Sequence, residues 1–389
     1  MKAIIVGGGI SGLNTGLGLR RAGVEAKVYD RASTLASLQA GGGMHLWNNG
    51  MRALDHLGQR ERVEAAGEGV DAFTWYTDQG RLMGSGDVTE LTRRLGIGAT
   101  GITRKDLHQT LAEGADDDLI RFDCKCTGFE QDPEGVTVRF DDGREERGDV
   151  LIGADGINSA VRRQIQGESE PRYSGVAVCQ AVCKTSEQLI EPRIYGMQWG
   201  RGVRFGYYPI LGGAFWYLLV AAPKDYFADP ATRRQKCEEH LAGWARPAEK
   251  LLAAAPDDGL IAGNISDREP VRKWGEGRVT LVGDAAHAMT PFLGQGGGQG
   301  IEDAAVVTSC LADGGDDVPA ALRSYENMRF DRTAEITRRA AKVGETTSMK
   351  NPVACAVRNR VMKVVFPRRI WPVFSQIITT DFMRKEAHA

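Results

Sequence analysis

The chain opens on KAIIVGGGISGLNTGLGLRR, and few stretches restrict a fold so narrowly. Lys2 to Val6 form a short, continuous apolar run, which predicts a strand buried on both faces. Gly7, Gly9 and Gly12 then fall in a GxGxxG pattern, followed by Leu13, Leu17 and Ala22 at helical spacing. The first glycine permits a tight turn, the second lets backbone approach a pyrophosphate, and the third lets helix and strand pack closely. Amides at the helix start, around Ser11, supply an anion site. The next run, EAKVYD, closes on Asp30, where a carboxylate can accept hydrogen bonds from a ribose. Strand, glycine turn, helix and strand make a βαβ unit and therefore a parallel sheet.

The pattern needs this context. Gly96-Ile97-Gly98-Ala99-Thr100-Gly101 also matches GxGxxG, but it follows the charged ELTRRL instead of a buried strand, and it reads as a plain loop. Two later stretches, DVLIGADG and RVTLVGDAAH, repeat a buried strand closing on Gly and Asp. The chain therefore returns twice to one sheet. Between these returns VRFGYYPILGGAFWYLLVAAP carries aromatic and β-branched runs around a turn, which predicts antiparallel hairpins. From residue 301 onward the apolar spacing is helical.

The resulting fold class is α/β. A Rossmann-like dinucleotide domain with a parallel sheet (1–70, 100–171 and 275–345) is interleaved with an antiparallel-sheet substrate domain (71–99 and 172–274). A helical segment (346–389) ends the chain.

One further loop narrows the ligand. In TLVGDAAHAMTPFLGQGGGQG, Asp284 ends a buried strand, where a carboxylate without a partner costs several kcal/mol. It needs a polyol or a row of amides. Gly294, Gly296, Gly297, Gly298 and Gly300 expose backbone donors just before a helix expected near Ile301, and a ring system carrying negative charge can lie against them.

Composition excludes other classes. A formal charge of −2 and a pI near 6.4 give no long-range attraction for nucleic acid or an anionic membrane. Seven cysteines without a CxxC pair fit reduced thiols in a cytoplasmic chain, and the histidines have no metal-ligand spacing. No apolar run reaches the roughly 18 residues that a membrane span requires.

GGGISG with Asp30, Arg104 within RKDL, DVLIGADGINSAVR, and GDAAHAMTPFLGQGGGQGIEDA resemble, in order and spacing over roughly residues 1–345, the group A FAD-dependent aromatic hydroxylases. The resemblance implies that Gly7, Gly9, Ser11, Gly12 and Asp30 hold the ADP half of FAD. It implies that Arg104 contacts the flavin and that Asp155 serves both FAD and a passing NAD(P)H. Asp284 then binds the ribityl chain, and Pro291 with Gly294, Gly296, Gly297 and Gly298 lies beside the isoalloxazine. Arg31, Gly43, Met44 and Cys126 join the cofactor-binding set on the same basis. The family usually has Glu in place of Asp30 and Pro in place of Asn48. The implied reaction uses NAD(P)H and O2: oxygen adds at flavin C4a, and the distal oxygen of the resulting hydroperoxide is transferred to a ring carbon of an electron-rich aromatic or heteroaromatic small molecule.

Within that family the chain most resembles the urate and salicylate hydroxylase branch. Arg204, five positions before Pro209, matches a catalytic arginine of the urate enzymes, and Trp216 falls where those enzymes have tyrosine, which argues against urate itself. Tyr207 and Tyr208 alternate faces on a strand, and Tyr207 is placed with Trp216 and Pro291 in the substrate pocket. His45 lies in the segment where the family's flavin moves. A flavin oxidoreductase without oxygen transfer, like the isoprenoid reductases, and an epoxidase of the same family stay open as alternatives. The chain is expected to be a monomer or homodimer, and its basic, amphipathic tail is expected to pack on the body.

Overall fold

The computed structural model describes residues 1–39, 41–116 and 118–383. Five strands form an all-parallel sheet in the order Val279–Leu281, Val150–Gly153, Lys2–Val6, Glu25–Tyr29, Ile120–Arg121. Ala3, Ile4, Ile5 and the Val150–Ile152 run are completely buried, so both faces of the central strands are covered. Helix Ile10–Arg21 packs against helix Gly296–Asp313 on one face, and their approach depends on small residues. A Cβ at Gly18 would lie 2.7 Å from the Thr308 hydroxyl and 2.5 Å from Leu57. The meander of Cys126–Gln131, Val136–Phe140 and Glu145–Gly148 is a separate three-stranded sheet in the same core.

The second layer is a seven-stranded sheet. Its order is Ile261–Asp267, Arg172–Lys184, Gly213–Ala221, Val203–Ile210, Ile194–Trp199, Ala72–Thr77, Leu82–Asp87. Every pairing is antiparallel except that of Ile194–Trp199 with Ala72–Thr77, where the chain comes back to an earlier strand. The hairpin turn expected around Leu211 and Gly212 is present, with Gly212 at φ +73°, and it sets the register that pairs Tyr208 with Phe215 and Tyr207 with Trp216. Helices Pro230–Leu241 and Ala248–Ala254 cover one face of this sheet. The other face looks toward the parallel sheet.

Gly96 of the rejected glycine motif ends helix Val88–Leu95 in the left-handed conformation (φ +70°), and its N–H bonds the Thr92 carbonyl at 2.8 Å. The glycine-rich helix begins at Gly296, five residues before the expected Ile301. Glycine has poor helix propensity, but here the turn is fixed by packing, with Gly298 against Gly50 and Gly300 against Ser11.

The tail forms helices Pro352–Val365 and Trp371–Thr379 joined by a helical turn. Cys355, Arg358, Met362 and Phe366 face the body, and Phe366 meets Trp75 edge-on at 4.4 Å. Val353, Val357, Val361 and Val364 stay exposed. Among the described residues no helix is long and apolar enough to cross a membrane.

Candidate active site

Asp30, Asp155 and Asp284 all stand just beyond the carboxyl ends of parallel strands, the edge where open α/β sheets receive ligands. Gly7 has φ +109°, and a Cβ there would sit 2.3 Å from the Ala154 carbonyl oxygen. At Gly12 it would lie 1.9 Å from the Gly7 oxygen, so both glycines are required by backbone contact. Gly9 differs: nothing lies within 4 Å of the position its Cβ would take. Helix Ile10–Arg21 starts there with no side-chain cap, so its first amides face open space.

The buried carboxylate of Asp30 accepts from the Gly8 amide at 2.5 Å and from the Ala32 amide at 2.7 Å. It fastens the glycine turn to the end of the second strand. Asp155 accepts from the Ala160 amide at 2.7 Å through Oδ2, while its Oδ1 is buried with no partner in the protein. Burial pushes its carboxyl above the usual range, against the hydrogen bonds from Ser159 and Ala160 that pull it down. Arg104 begins helix Arg104–Glu113, and its Nε is likewise buried without an acceptor.

Gly9, Arg104 and the two neighbours of Asp155, Ala154 and Gly156, border a cavity of about 470 Å³ that runs between the two sheets, while Gly7, Gly12, Asp30 and Asp155 themselves lie outside its lining. Gly9, Ser11, Gly43, Met44, Arg104, Asp284, Pro291, Gly294, Gly296 and Gly297 line it, gathered from distant parts of the chain. Asp284 is not buried at a strand end as the sequence suggested. The strand stops at Leu281, and the carboxylate is exposed to the cavity. Gly298 sits behind this wall, against Asn49 and Gly50. Arg31 is exposed, and Cys126 is buried with its thiol pushed up to about 11, by burial and then by the charge of Asp155. Neither is among the lining residues.

The antiparallel sheet contributes Gln180, Tyr195, Tyr208, Phe215 and Tyr217, and here two sequence expectations fail. Tyr207 and Trp216 point to the opposite, helix-covered face. Trp216 is fully buried there and stacks on Phe205 at 5.6 Å, in a cluster with Phe227 and Leu241. Successive strand residues alternate faces, so an offset of one position reverses the assignment. The aromatics that reach the cavity from the returning strand are Phe215 and Tyr217, and the Tyr217 ring packs on Gly206, leaving 2.1 Å to the position a Cβ would occupy. The Tyr217 hydroxyl meets that of Tyr195 at 2.7 Å. Burial, then the neighbouring Tyr217, holds the Tyr195 phenol far above its usual pKa, so it stays protonated. Trp216, packed in this core, does not bear on whether urate fits the cavity.

His45 also lines the cavity. Both ring nitrogens are buried without partners, and burial lowers its pKa to about 3.

Arg204 is 3% exposed. Its Nη2 donates to the Phe292 carbonyl at 3.1 Å, its Nε approaches the Met197 sulfur at 2.8 Å, and its guanidinium lies 5.7 Å from the Trp199 ring and 5.6 Å from that of Phe292. Nη1 finds no acceptor in the protein. Arg204 lines a second cavity of about 430 Å³, which shares Tyr195 and Gly294 with the first and extends toward the C-terminal helices.

Behind the glycine loop lies an ion network that sequence reasoning missed. Arg329, fully buried, bonds Glu302 at 2.5 Å and Asp303 at 2.7 Å; Arg332 also bonds Glu302, and His287 meets Asp303 at 2.5 Å. Burial raises both carboxyls, but Arg332 and Arg329 hold Glu302 at about 2, and His287 and Arg329 do the same for Asp303. The second Asp303 oxygen accepts from the Gly283 amide at 2.8 Å, and Glu302 from Asn49 at 2.6 Å, so the network pins the loop before Asp284. Adjacent acids in an otherwise apolar helix, with arginines three apart in RFDRT, were its trace in the sequence.

The open face at Gly9, the uncapped helix starts at Ile10 and Gly296, and the unpartnered Asp155 Oδ1 and Arg104 Nε fit a bound dinucleotide. A family model described as an FAD binding domain matches residues 1–340. The chain belongs to the group A FAD-dependent aromatic hydroxylases. Aurachin C monooxygenase/isomerase from Stigmatella aurantiaca is 37% identical to this hydroxylase over 372 residues, 95% of this chain and 96% of its own. An FAD-dependent urate hydroxylase from Klebsiella pneumoniae is 33% identical over 90% of this chain and 91% of its own. The crystal structure of Klebsiella pneumoniae HpxO with FAD and uric acid superposes with a TM-score of 0.90 at 30% identity, covering 97% of this chain and 96% of that one. FAD is therefore the cofactor of this flavin monooxygenase.

Proposed function

We propose that this flavoprotein uses NAD(P)H and O2 to hydroxylate a small aromatic or heteroaromatic substrate, as a cytoplasmic monomer or homodimer. The substrate ring sits where the two cavities meet, between Tyr195 and Gly294, within reach of Arg204. Bound FAD supplies the electron transfer and oxygen activation. Gly7, Gly9, Gly12 and the amides at Ser11 hold its pyrophosphate, Asp30 and Arg31 the adenosine end, Asp155 and Arg104 the middle, and Asp284 the ribityl chain. Gly294, Gly296 and Gly297 offer backbone donors to the ring system without side-chain bulk, at a helix N-terminus that favours negative charge.

The carrying observation is the Arg204 guanidinium. It is almost fully buried and retains one nitrogen without an acceptor, an arrangement that costs free energy until an acceptor arrives. A phenolate or a deprotonated heterocycle would meet that need, and the same deprotonation makes the ring carbon nucleophilic. The protonated phenols of Tyr195 and Tyr208 can donate to ring substituents but cannot remove their protons. Aromatic walls exclude water, so oxygen transfer competes well with loss of peroxide. Urate belongs among the candidates.

The test is a screen of phenols and hydroxylated heterocycles, urate included, for stimulated NAD(P)H oxidation by the FAD-loaded enzyme. Product mass should rise by one oxygen. Stimulation under strictly anaerobic conditions with a reduced product would instead favour an oxidoreductase without oxygen transfer.

A further inference from the structure

The second cavity is larger than a substrate ring at the junction requires. From Arg204 at its inner end it passes Met197, Trp199, Phe73, Trp75, Met362 and Phe374 before opening beside Val373, which is 43% exposed. Charge is confined to the ends: Arg204 stands inside, while the exposed Arg339, Lys342 and Arg369 surround the mouth. Between those ends the lining is largely aromatic and aliphatic, so a hydrocarbon gains the full benefit of burial there. The volume of about 430 Å³ lies within the range of ligand sites.

Resting on the proposed hydroxylase reading, we infer that this cavity receives an apolar chain carried by the aromatic substrate, so that the natural substrate class is a ring with a lipophilic tail. Continuity supports this occupant. Tyr195 and Gly294 line both cavities, so a ring held by Arg204 can direct a substituent along the aromatic walls toward the tail helices. Those helices are thus part of the site, because Met362, Phe374 and Ile377 form its outer walls.

The experiment measures binding, not turnover. The FAD-loaded protein is titrated with n-alkyl esters of 4-hydroxybenzoate from methyl to octyl, and flavin absorbance is followed. The dissociation constant should fall roughly two- to fourfold per methylene over the first several carbons. Val373→Trp, a change at a half-exposed position, should flatten the series for long chains while leaving the methyl ester and the FAD content unchanged.

A flat series, no binding at any length, or a slope that survives in Val373→Trp overturns the assignment. A flat series from a dimer that Val373→Trp dissociates would give the cavity to a second copy of the chain. Since chain-length dependence is read without catalysis, hydroxylation can fail while the compartment stands, and the reverse.

Discussion

Arg204 and Phe292 are joined by a hydrogen bond of 3.1 Å from guanidinium to backbone carbonyl, which ties the substrate-side sheet to the loop that leads into the glycine-rich helix. One side chain thus reads the position of both layers. Arg204→Gln should keep FAD yet lose about 10- to 100-fold in kcat/KM for hydroxylation, the value of a hydrogen bond to a charged group. NAD(P)H consumption should divert to hydrogen peroxide. Arg204→Lys, with its charge but without the fork, should recover part of the coupling. Unaltered coupling in Arg204→Gln would remove this residue from the mechanism.

Face alternation separates Tyr217 from Trp216. Tyr217→Phe removes the 2.7 Å contact with Tyr195 and should raise KM or peroxide leakage, with about 1 kcal/mol or less of stability lost. Trp216→Phe should cost about 1–3 kcal/mol through a core void and leave the kinetics intact. The comparison needs only urea midpoints and steady-state rates, and a reversed pattern would contradict the observed register.

The glycines divide by what a methyl group would meet. Gly12→Ala should destabilise the fold itself, because its Cβ would lie 1.9 Å from a backbone oxygen. Gly9→Ala has room in the protein and should fold normally, but purify with reduced flavin. Asp284→Ala should also lose flavin without losing structure. Flavin absorbance per chain and far-ultraviolet circular dichroism tell these cases apart.

His45 gives stability a pH dependence of known sign. Its imidazole is held neutral in the fold, at about 3, but takes up a proton near 6.5 when the chain unfolds. Its contribution is complete above the unfolded value and is lost as pH falls from about 6.5 toward 3, about 2 kcal/mol of it by pH 5. His45→Met should flatten the pH profile of the thermal midpoint across that window. Parallel profiles would show that protons reach the folded imidazole.

Arg329→Met should be the most damaging of the single changes. It removes the buried cation that Glu302 and Asp303 share, leaving Glu302 to Arg332 and Asp303 to His287, at a cost of about 3–5 kcal/mol. Flavin retention should fall too, since Asp303 holds the Gly283 amide. A variant with wild-type stability would mean that Arg332 and His287 alone suffice for Glu302 and Asp303.

Local sequence determined the parallel sheet and its ligand edge. Strand, glycine and carboxylate lie within a few residues of one another at Asp155 and Asp284, and strand and glycines do so at Gly7, and backbone sterics translate that spacing directly into a turn. The hairpin around Gly212 was legible for the same reason. Tertiary structure alone decided which side of that hairpin faces the cavity, because alternation is symmetric until helices Pro230–Leu241 and Ala248–Ala254 cover Trp216 and leave Tyr217 for the site. It also decided the ion network and the second cavity. Arg329 meets Glu302, and Tyr195 meets Phe374 across one void, only after segments far apart in the chain pack together, and no spacing rule along a single strand or helix carries that information.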